Sequence, residues 1–429
     1  MLLRFRVANH RSIRDEQTLS LVAVPRRGES GELGTVRVAG IYGANASGKS
    51  NVLSALMWMI SAIRSSHTQW EPVGGVPRQP FKLSEAGRTA ASFFELDFLH
   101  EEQRYSYGFE VDDTHVLGEW LYAFPHGRKK KLFERSGVDD ITFGRALTGE
   151  NQRIRRLTRP NSLYLSAAAS NNHHLLGALY AALIGKVMFA QHGEEDEKLR
   201  LHLTKFLLNE TDFAPALNKL LQLADLGVER AEIMERPNDP MLDEFAGPSP
   251  DDLADSSSEA ALRALRARVV LRRSSGGVSL SLEEESAGTR AWLSLLGHAL
   301  LSLRGDGVLV TDEIDSSLHP LLSSSLIRMF KDPLINKRRA QLIFASHDTT
   351  LLGSMLEDEI MARDEVWFTE KDDSGSTSLY SLAEFHPRRD ENVERGYLQG
   401  RYGAVPYLNF DSIREVFREG SGATSEPQA

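Results

Sequence analysis

Apolar and polar residues alternate from Leu2 to Val7 and again through "TLSLVAV" (Thr18–Val24), a period of two that predicts a half-buried hairpin. The run "VRVAGIYG" (Val36–Gly43) is apolar almost without interruption, as expected of a strand covered on both faces. After Lys49 the period changes, and Val52, Leu53, Leu56, Met57, Ile60 and Ile63 recur at helical spacing. A buried strand therefore passes through a glycine-containing turn into an amphipathic helix. "SFFELDF", "YSYGFEV" and "EWLYAF" predict antiparallel strands at short intervals, and Ser166–Ala224 is mostly helical in pattern. Two more apolar strands lie late in the chain, within "DGVLVTDEID" (Asp306–Asp315) and "QLIFASHD" (Gln341–Asp348). The first is preceded by an amphipathic helix in "ESAGTRAWLSLLGHALLSL", with Trp292, Leu293, Leu296 and Leu300 on its apolar face. Residues 245–259 are rich in Pro, Ser and Asp and predict a flexible link, and 419–429 predict a disordered tail. The expected division is an N-terminal α/β lobe at 1–145, a mainly helical insertion lobe at 146–275, and a C-terminal α/β lobe at 276–418.

Composition narrows the chemistry. With 429 residues, 41% of them hydrophobic, the chain can bury a large core. It has no cysteine, which excludes disulfides, thiolate metal sites and cysteine nucleophiles, so any metal is oxygen-bound. No N-terminal targeting pattern precedes the first strand, and the apolar run "LYAALIGKVMF" is too short and interrupted to cross a bilayer, so a cytoplasmic location is expected. The net charge of -10 disfavours indiscriminate coating of DNA. The basic runs Arg128–Lys131, Arg153–Arg159 and Lys337–Arg339 read as solvated surface or as the lining of a groove.

The turn after the buried strand carries the most specific chemistry. Gly43-x-x-x-x-Gly48-Lys49-Ser50 has the form of a loop that grips phosphate through backbone N–H groups, because glycines let the main chain approach the oxygens. In that reading Lys49 reaches the β and γ phosphates and Ser50 ligates Mg²⁺. Asp312 and Glu313 close the "VLVTDEID" strand; alone such a pair reads as a capped turn, but beside a phosphate loop it can orient Mg²⁺ and polarise an attacking water. Ser286 and Gly288 open the preceding helix, where free amides favour a phosphate, although a plain N-cap has the same look. His347, at the end of its strand, reads alone as a satisfied end-of-strand residue.

In this order the pieces resemble an ABC-type ATPase of the branch that includes RecF, the SMC proteins and the overcoming-lysogenization-defect ATPases. "GANASGKSN" (Gly43–Asn51) resembles Walker A, "ESAGT" a variant signature motif, "VLVTDEID" Walker B, "SSLHP" (Ser316–Pro320) the D-loop, and His347 the switch histidine. "VANHRSIRDEQTLSL" resembles that branch's N-terminal hairpin and implies Arg11 as a nucleotide contact. "RDEVWFTEKD" (Arg363–Asp372) and "YLQGRYGAVP" (Tyr397–Pro406) resemble stretches of abortive-infection ATPases of the RloA and AbiL kind. The resemblance implies an α/β ABC-type head, with a mixed sheet around a P-loop helix, an antiparallel β subdomain and a helical insertion lobe. It implies ATP and Mg²⁺ as cofactors, held by Gly43, Asn45, Ser47, Gly48, Lys49, Ser50 and Asn51, with Asp312 at the metal and Glu313, His347 and Lys49 in catalysis. Ser286 and Gly288 would complete the site from a second chain in an ATP-dependent head-to-tail homodimer. The implied role is the ATPase of an antiphage system controlling a separate effector, such as a TOPRIM nuclease of the RloB kind, with no membrane partner. A RecF-like DNA clamp and a nucleotide-stabilised scaffold with negligible turnover are the alternatives. The sequence departs from the pattern at "SAGT", at His319 in place of a D-loop aspartate, and at the glutamine loop, for which Gln79 is a candidate that reads equally as an ordinary surface glutamine.

Overall fold

The computed structural model describes residues 1–24, 34–138, 140–190, 194–235, 267–353, 359–386, 391–406, 410–411 and 414. The predicted link 245–259 and tail 419–429 lie outside them. The N-terminal part gives β1 (Leu2–Ala8), β2 (Gln17–Ser20), β3 (Val38–Gly43), α1 (Lys49–Ser65), α2 (Glu85–Thr89), β4 (Ser92–His100), β5 (Gln103–Val111), β6 (Val116–Ala123), β7 (Lys130–Ser136) and β8 (Asp140–Phe143). There follow α3 (Asn151–Leu157), α4 (Tyr164–Ser170), α5 (His174–Lys186), β9 (Val187–Ala190), α6 (Glu194–Asn209), α7 (Ala214–Leu223), β10 (Val228–Glu235), β11 (Ala267–Arg273) and β12 (Ser279–Ser281). The C-terminal part supplies α8 (Ala287–Arg304), β13 (Val308–Thr311), α9 (Pro320–Lys331), β14 (Gln341–Ala345), β15 (Val366–Lys371), β16 (Thr377–Ser381) and α10 (Val393–Leu398).

These strands form three sheets. The central one has the order β16-β15-β3-β14-β13-β9, parallel except for the edge strand β16. An antiparallel sheet of order β2-β1-β4-β5-β6-β7-β8 stands beside it, and β10-β11-β12 make a small third sheet. The expected fold class, mixed α/β around a P-loop helix with an antiparallel β subdomain, is the observed one.

The continuous apolar runs have a simple cause. Successive side chains of a strand point to opposite faces, and here each face meets its own core. Ala39 and Ile41 of β3, Val308 and Val310 of β13, and Ile343 and Ala345 of β14 pack with α1 and the antiparallel sheet. Val38, Tyr42, Leu309, Leu342 and Phe344 pack on the other side with Trp292, Leu293 and Leu296 of α8 and Ile327 and Phe330 of α9. A sheet covered on both faces has no polar alternation to show.

The stretch read as mostly helical, Ser166–Ala224, also contains β9, which pairs in parallel with β13 and forms an edge of the central sheet. It follows α5 directly, with Gly185 in the last turn of the helix and no intervening loop to mark the change. The segment "KDD" (Lys371–Asp373) lies at the turn between β15 and β16.

Candidate functional site

The parallel strands β3, β13 and β14 all end on the same edge of the central sheet, so the loops after Gly43, Thr311 and Ala345 emerge side by side. The carboxyl edge of a parallel sheet is where such folds place ligands.

The glycine loop is crowded from behind by β15 and β16. Gly43 has φ 155°, and a Cβ there would lie 2.5 Å from the Thr369 carbonyl and 2.6 Å from Ser47 Oγ. Gly48 has φ 114°, and a side chain on it would run into Thr377. Space and backbone angle together require glycine at both positions. Ser47 Oγ meets Thr369 Oγ1 at 2.6 Å, and Thr377 Oγ1 donates to the Ser47 carbonyl at 2.8 Å. Ser12 Oγ lies 2.7 Å from Thr377 Oγ1 and accepts from Asn51 Nδ2 at 2.6 Å. A chain of small hydroxyls thus joins the N-terminal hairpin, the glycine loop and the β15–β16 hairpin. Asn51 belongs to this clasp, while Asn45 and Ser50 are exposed.

Lys49 opens α1 and is buried, its Nζ donating to the carbonyls of Gly43 at 2.9 Å and Ala44 at 3.2 Å. Burial lowers its pKa, and the fields of Asp312, Asp315 and Glu313 oppose that shift. The ammonium of the loop and the carboxylates after β13 therefore share one electrostatic environment.

Asp312 Oδ1 accepts the Glu313 N–H at 3.2 Å. Glu313 is exposed and has φ 47°, a left-handed conformation that costs a non-glycine residue about 1 kcal/mol. Strain of this kind clusters at functional sites. Asp315 accepts from Ser346 Oγ at 2.7 Å and from the His347 N–H at 3.3 Å, linking the acidic turn to the loop after β14. The His347 side chain is exposed beside that link. Asp348 then caps the 3₁₀ turn Thr349–Leu352, accepting from Thr350 N at 2.9 Å.

Ser286 caps α8, its Oγ accepting the Thr289 N–H at 3.1 Å. Gly288 allows a close approach, since a Cβ there would stand 2.7 Å from the Ser317 carbonyl. The signature-like segment thus packs on the D-loop of its own chain. Among the described residues, no hydrogen bond joins 286–288 to the loop 43–50. His319, at the position of the missing aspartate, caps α9 by accepting from Leu321 N at 3.2 Å. Arg11 Nε donates to Gln79 Oε1 at 2.6 Å, so the two N-terminal candidates meet each other.

Magnesium is tested by its donors. Ser50 and Asp312 offer hard oxygen ligands, and Mg²⁺ characteristically takes one or two carboxylates with the rest from phosphate and water. Among the described residues no group of three or more His, Asp or Glu could hold a metal by itself. The set fits a cation that arrives with a nucleotide.

Ser12, Asp315, Thr369 and Thr377 escaped the sequence reading. Asp315 lay within "DEID", Ser12 within the N-terminal hairpin motif and Thr369 within "RDEVWFTEKD", but none was singled out.

The basic runs are used unequally. Arg159 donates to the carbonyls of Ser66 and Trp70, and Arg153 pairs with Glu150. Arg128, Lys129 and Lys130 remain exposed. No helix among the described residues is long and apolar enough to cross a membrane.

A glycine loop between a buried parallel strand and a helix, with a buried lysine in the field of acids on a neighbouring loop, defines a nucleotide-binding domain of the P-loop class. The chain belongs to the family described as "AAA domain, putative AbiEii toxin, Type IV TA system", which matches residues 38–353. Solved structures similar to it include the SMC head domain from Thermotoga maritima, at 13% identity and TM-score 0.40, covering 89% of this chain and 98% of that one. An Smc head bound to the C-winged helix domain of ScpA gives the same identity and TM-score over 89% and 97%. The Smc head with an extended coiled coil bound to the C-terminal domain of ScpA, derived from Pyrococcus furiosus, gives 12% and 0.38 over 98% and 99%. No curated protein matches the chain.

Proposed function

We propose that this chain binds and hydrolyses Mg²⁺-ATP as a two-chain switch that governs a separate effector in antiphage defence. The observation that carries the proposal is the convergence of Lys49 with Asp312, Asp315 and Glu313 at the carboxyl edge of one sheet. Loop amides and Lys49 would hold the β and γ phosphates, and Ser50 and Asp312 would hold Mg²⁺, which would supply neutralisation of phosphate charge. Glu313 accepts a proton from the attacking water, and His347, tethered through its backbone to Asp315, faces the γ-phosphate. Ser286 and Gly288 meet the nucleotide of a second, head-to-tail copy, so ATP closes the pair and hydrolysis opens it. The family's description as a putative toxin of a type IV TA system supports the defence setting. An effector of the TOPRIM type encoded nearby is the partner class in this reading, in a cytoplasmic setting.

Phosphate release by the wild-type chain, corrected with Glu313→Gln, tests the chemistry. Light scattering of Glu313→Gln with saturating Mg²⁺-ATP tests the assembly: a dimer supports the scheme, and a monomer removes it. Exposed Arg128, Lys129 and Lys130 favour a second reading, a RecF-like clamp. Phosphate release that rises with duplex DNA and loses that response steeply with salt would select it.

A further inference from the structure

The β15–β16 hairpin has two faces with different occupations. Thr369 and Thr377 point to the glycine loop and hold Ser47. Residues an odd number of steps along each strand must point the other way. There Glu370 and Tyr380 line an open cavity of ≈ 410 Å³, together with Glu384, Phe385, Tyr402 and Gly403.

The walls of this cavity are aromatic. Tyr402 stacks on Phe368 at 5.9 Å between ring centres, and Phe385 meets Tyr402 edge-on at 5.4 Å and Tyr380 at 5.8 Å. Tyr380 donates to the Tyr402 carbonyl at 2.8 Å. Gly403, at φ 68°, keeps the wall open, since a Cβ there would stand 2.8 Å from Tyr380 Oη and 2.9 Å from Glu370. Burial raises the pKa of Tyr380, and the field of Glu370 adds to it. Tyr402 is pushed up to about 12 by burial and then by Glu391. Arg401 is taken by Glu391, and among the described residues no lysine or arginine pairs with Glu370 or Glu384. Phe385 remains 44% exposed.

Two exposed carboxylates beside three aromatic rings call for a cation with an apolar stem. Ring faces attract cations, and the methylene stem of a basic side chain packs on such walls in a way a bare ion cannot. We propose that this cavity binds an arginine or lysine side chain of a partner protein, and that its occupancy is reported to the glycine loop through the shared hairpin. The inference supplies a docking point for the effector in the function proposed above. Its binding arm requires no nucleotide, so the two readings fail separately.

The experiment titrates the full chain, without nucleotide, with a capped Gly-Gly-Arg-Gly-Gly peptide and its citrulline counterpart by calorimetry. Saturable binding of the arginine peptide is expected, at least about tenfold tighter than citrulline. Glu370→Gln/Glu384→Gln should weaken it by about tenfold and Phe385→Ala by about fivefold. Glu101→Gln/Glu102→Gln, on the remote β4–β5 turn, should leave it unchanged. Absence of saturable binding, equal binding of citrulline, or equal weakening by the remote pair would overturn the site. A second titration measures ATP affinity with and without saturating peptide. A shift of about threefold or more supports the coupling, by linkage between the two sites, and an unchanged affinity overturns it.

Discussion

Glu119 and Glu313 are chemically the same side chain in opposite circumstances. Glu119, on β6, is fully buried; it accepts the N–H groups of Tyr164 at 2.6 Å and Leu165 at 3.0 Å and the Tyr107 hydroxyl at 2.9 Å. Arg135, equally buried, stands 4.0 Å away and donates to the carbonyls of Ser162, Pro160 and Val138. Every strong group there is answered within the chain. Glu313 is exposed on a strained backbone, and the same loop edge leaves Ser50 and His347 exposed as well. At Glu119 the antiparallel subdomain uses charge to join sheet to helix, while at Glu313 the central sheet presents charge outward.

Substitution separates these two uses. Glu313→Gln should lower turnover at least about a hundredfold, as loss of a general base does, with ATP affinity kept within about twofold. Lys49→Ala should abolish measurable nucleotide binding at the same concentrations. Single-turnover phosphate release and equilibrium nucleotide titration check both. Equal turnover in either variant would remove the assignment.

Glu119→Gln should do the reverse. It leaves Arg135 charged and buried, which costs about 3 kcal/mol, with ATP affinity of the folded protein unchanged. Urea unfolding measures the loss, and an unchanged midpoint would show that the pair is not what joins β6 to α4.

A smaller effect tests the hydroxyl clasp between the regions. Thr377→Val keeps the shape but removes the bond to Ser47, at about 1 kcal/mol, and should weaken ATP binding several-fold. Stability that falls while affinity holds would make the clasp purely structural.

A further effect is in pH. His10 packs among Phe94 and Trp58, and burial, with Arg11 adding to it, lowers its pKa from 6.5 to about 4. The native state keeps it neutral where the unfolded chain takes a proton, so stability is full above that window and falls as pH drops from 6.5 toward 4. His67 and His173 shift the same way, so His10→Phe should flatten the slope in part. An unaltered slope would place the acid sensitivity elsewhere.

What sequence could show depended on range. The strand–loop–helix around Gly43–Ser50 was legible because its glycines, apolar run and helical period are adjacent. So were the strands before Asp312 and His347. Ser12, Thr369 and Thr377 were not, because a small hydroxyl has no pattern and each acts on residues brought close by strand pairing. β9 was hidden for a different reason: Val187–Ala190 continues the apolar character of α5. At Gly288 the reading named the residue, and the structure adds its work within one chain, against Ser317.

The pairing of β3 has a consequence for how the protein is made. β3 ends at Gly43, but its neighbours in the sheet begin only at Gln341 and Val366. A ribosome adding about 5–20 residues per second leaves the strand without its partners for on the order of tens of seconds. During synthesis the apolar strand must be sheltered by the antiparallel sheet or by a chaperone. The nucleotide pocket, begun among the first residues to emerge, is among the last parts of the molecule to close.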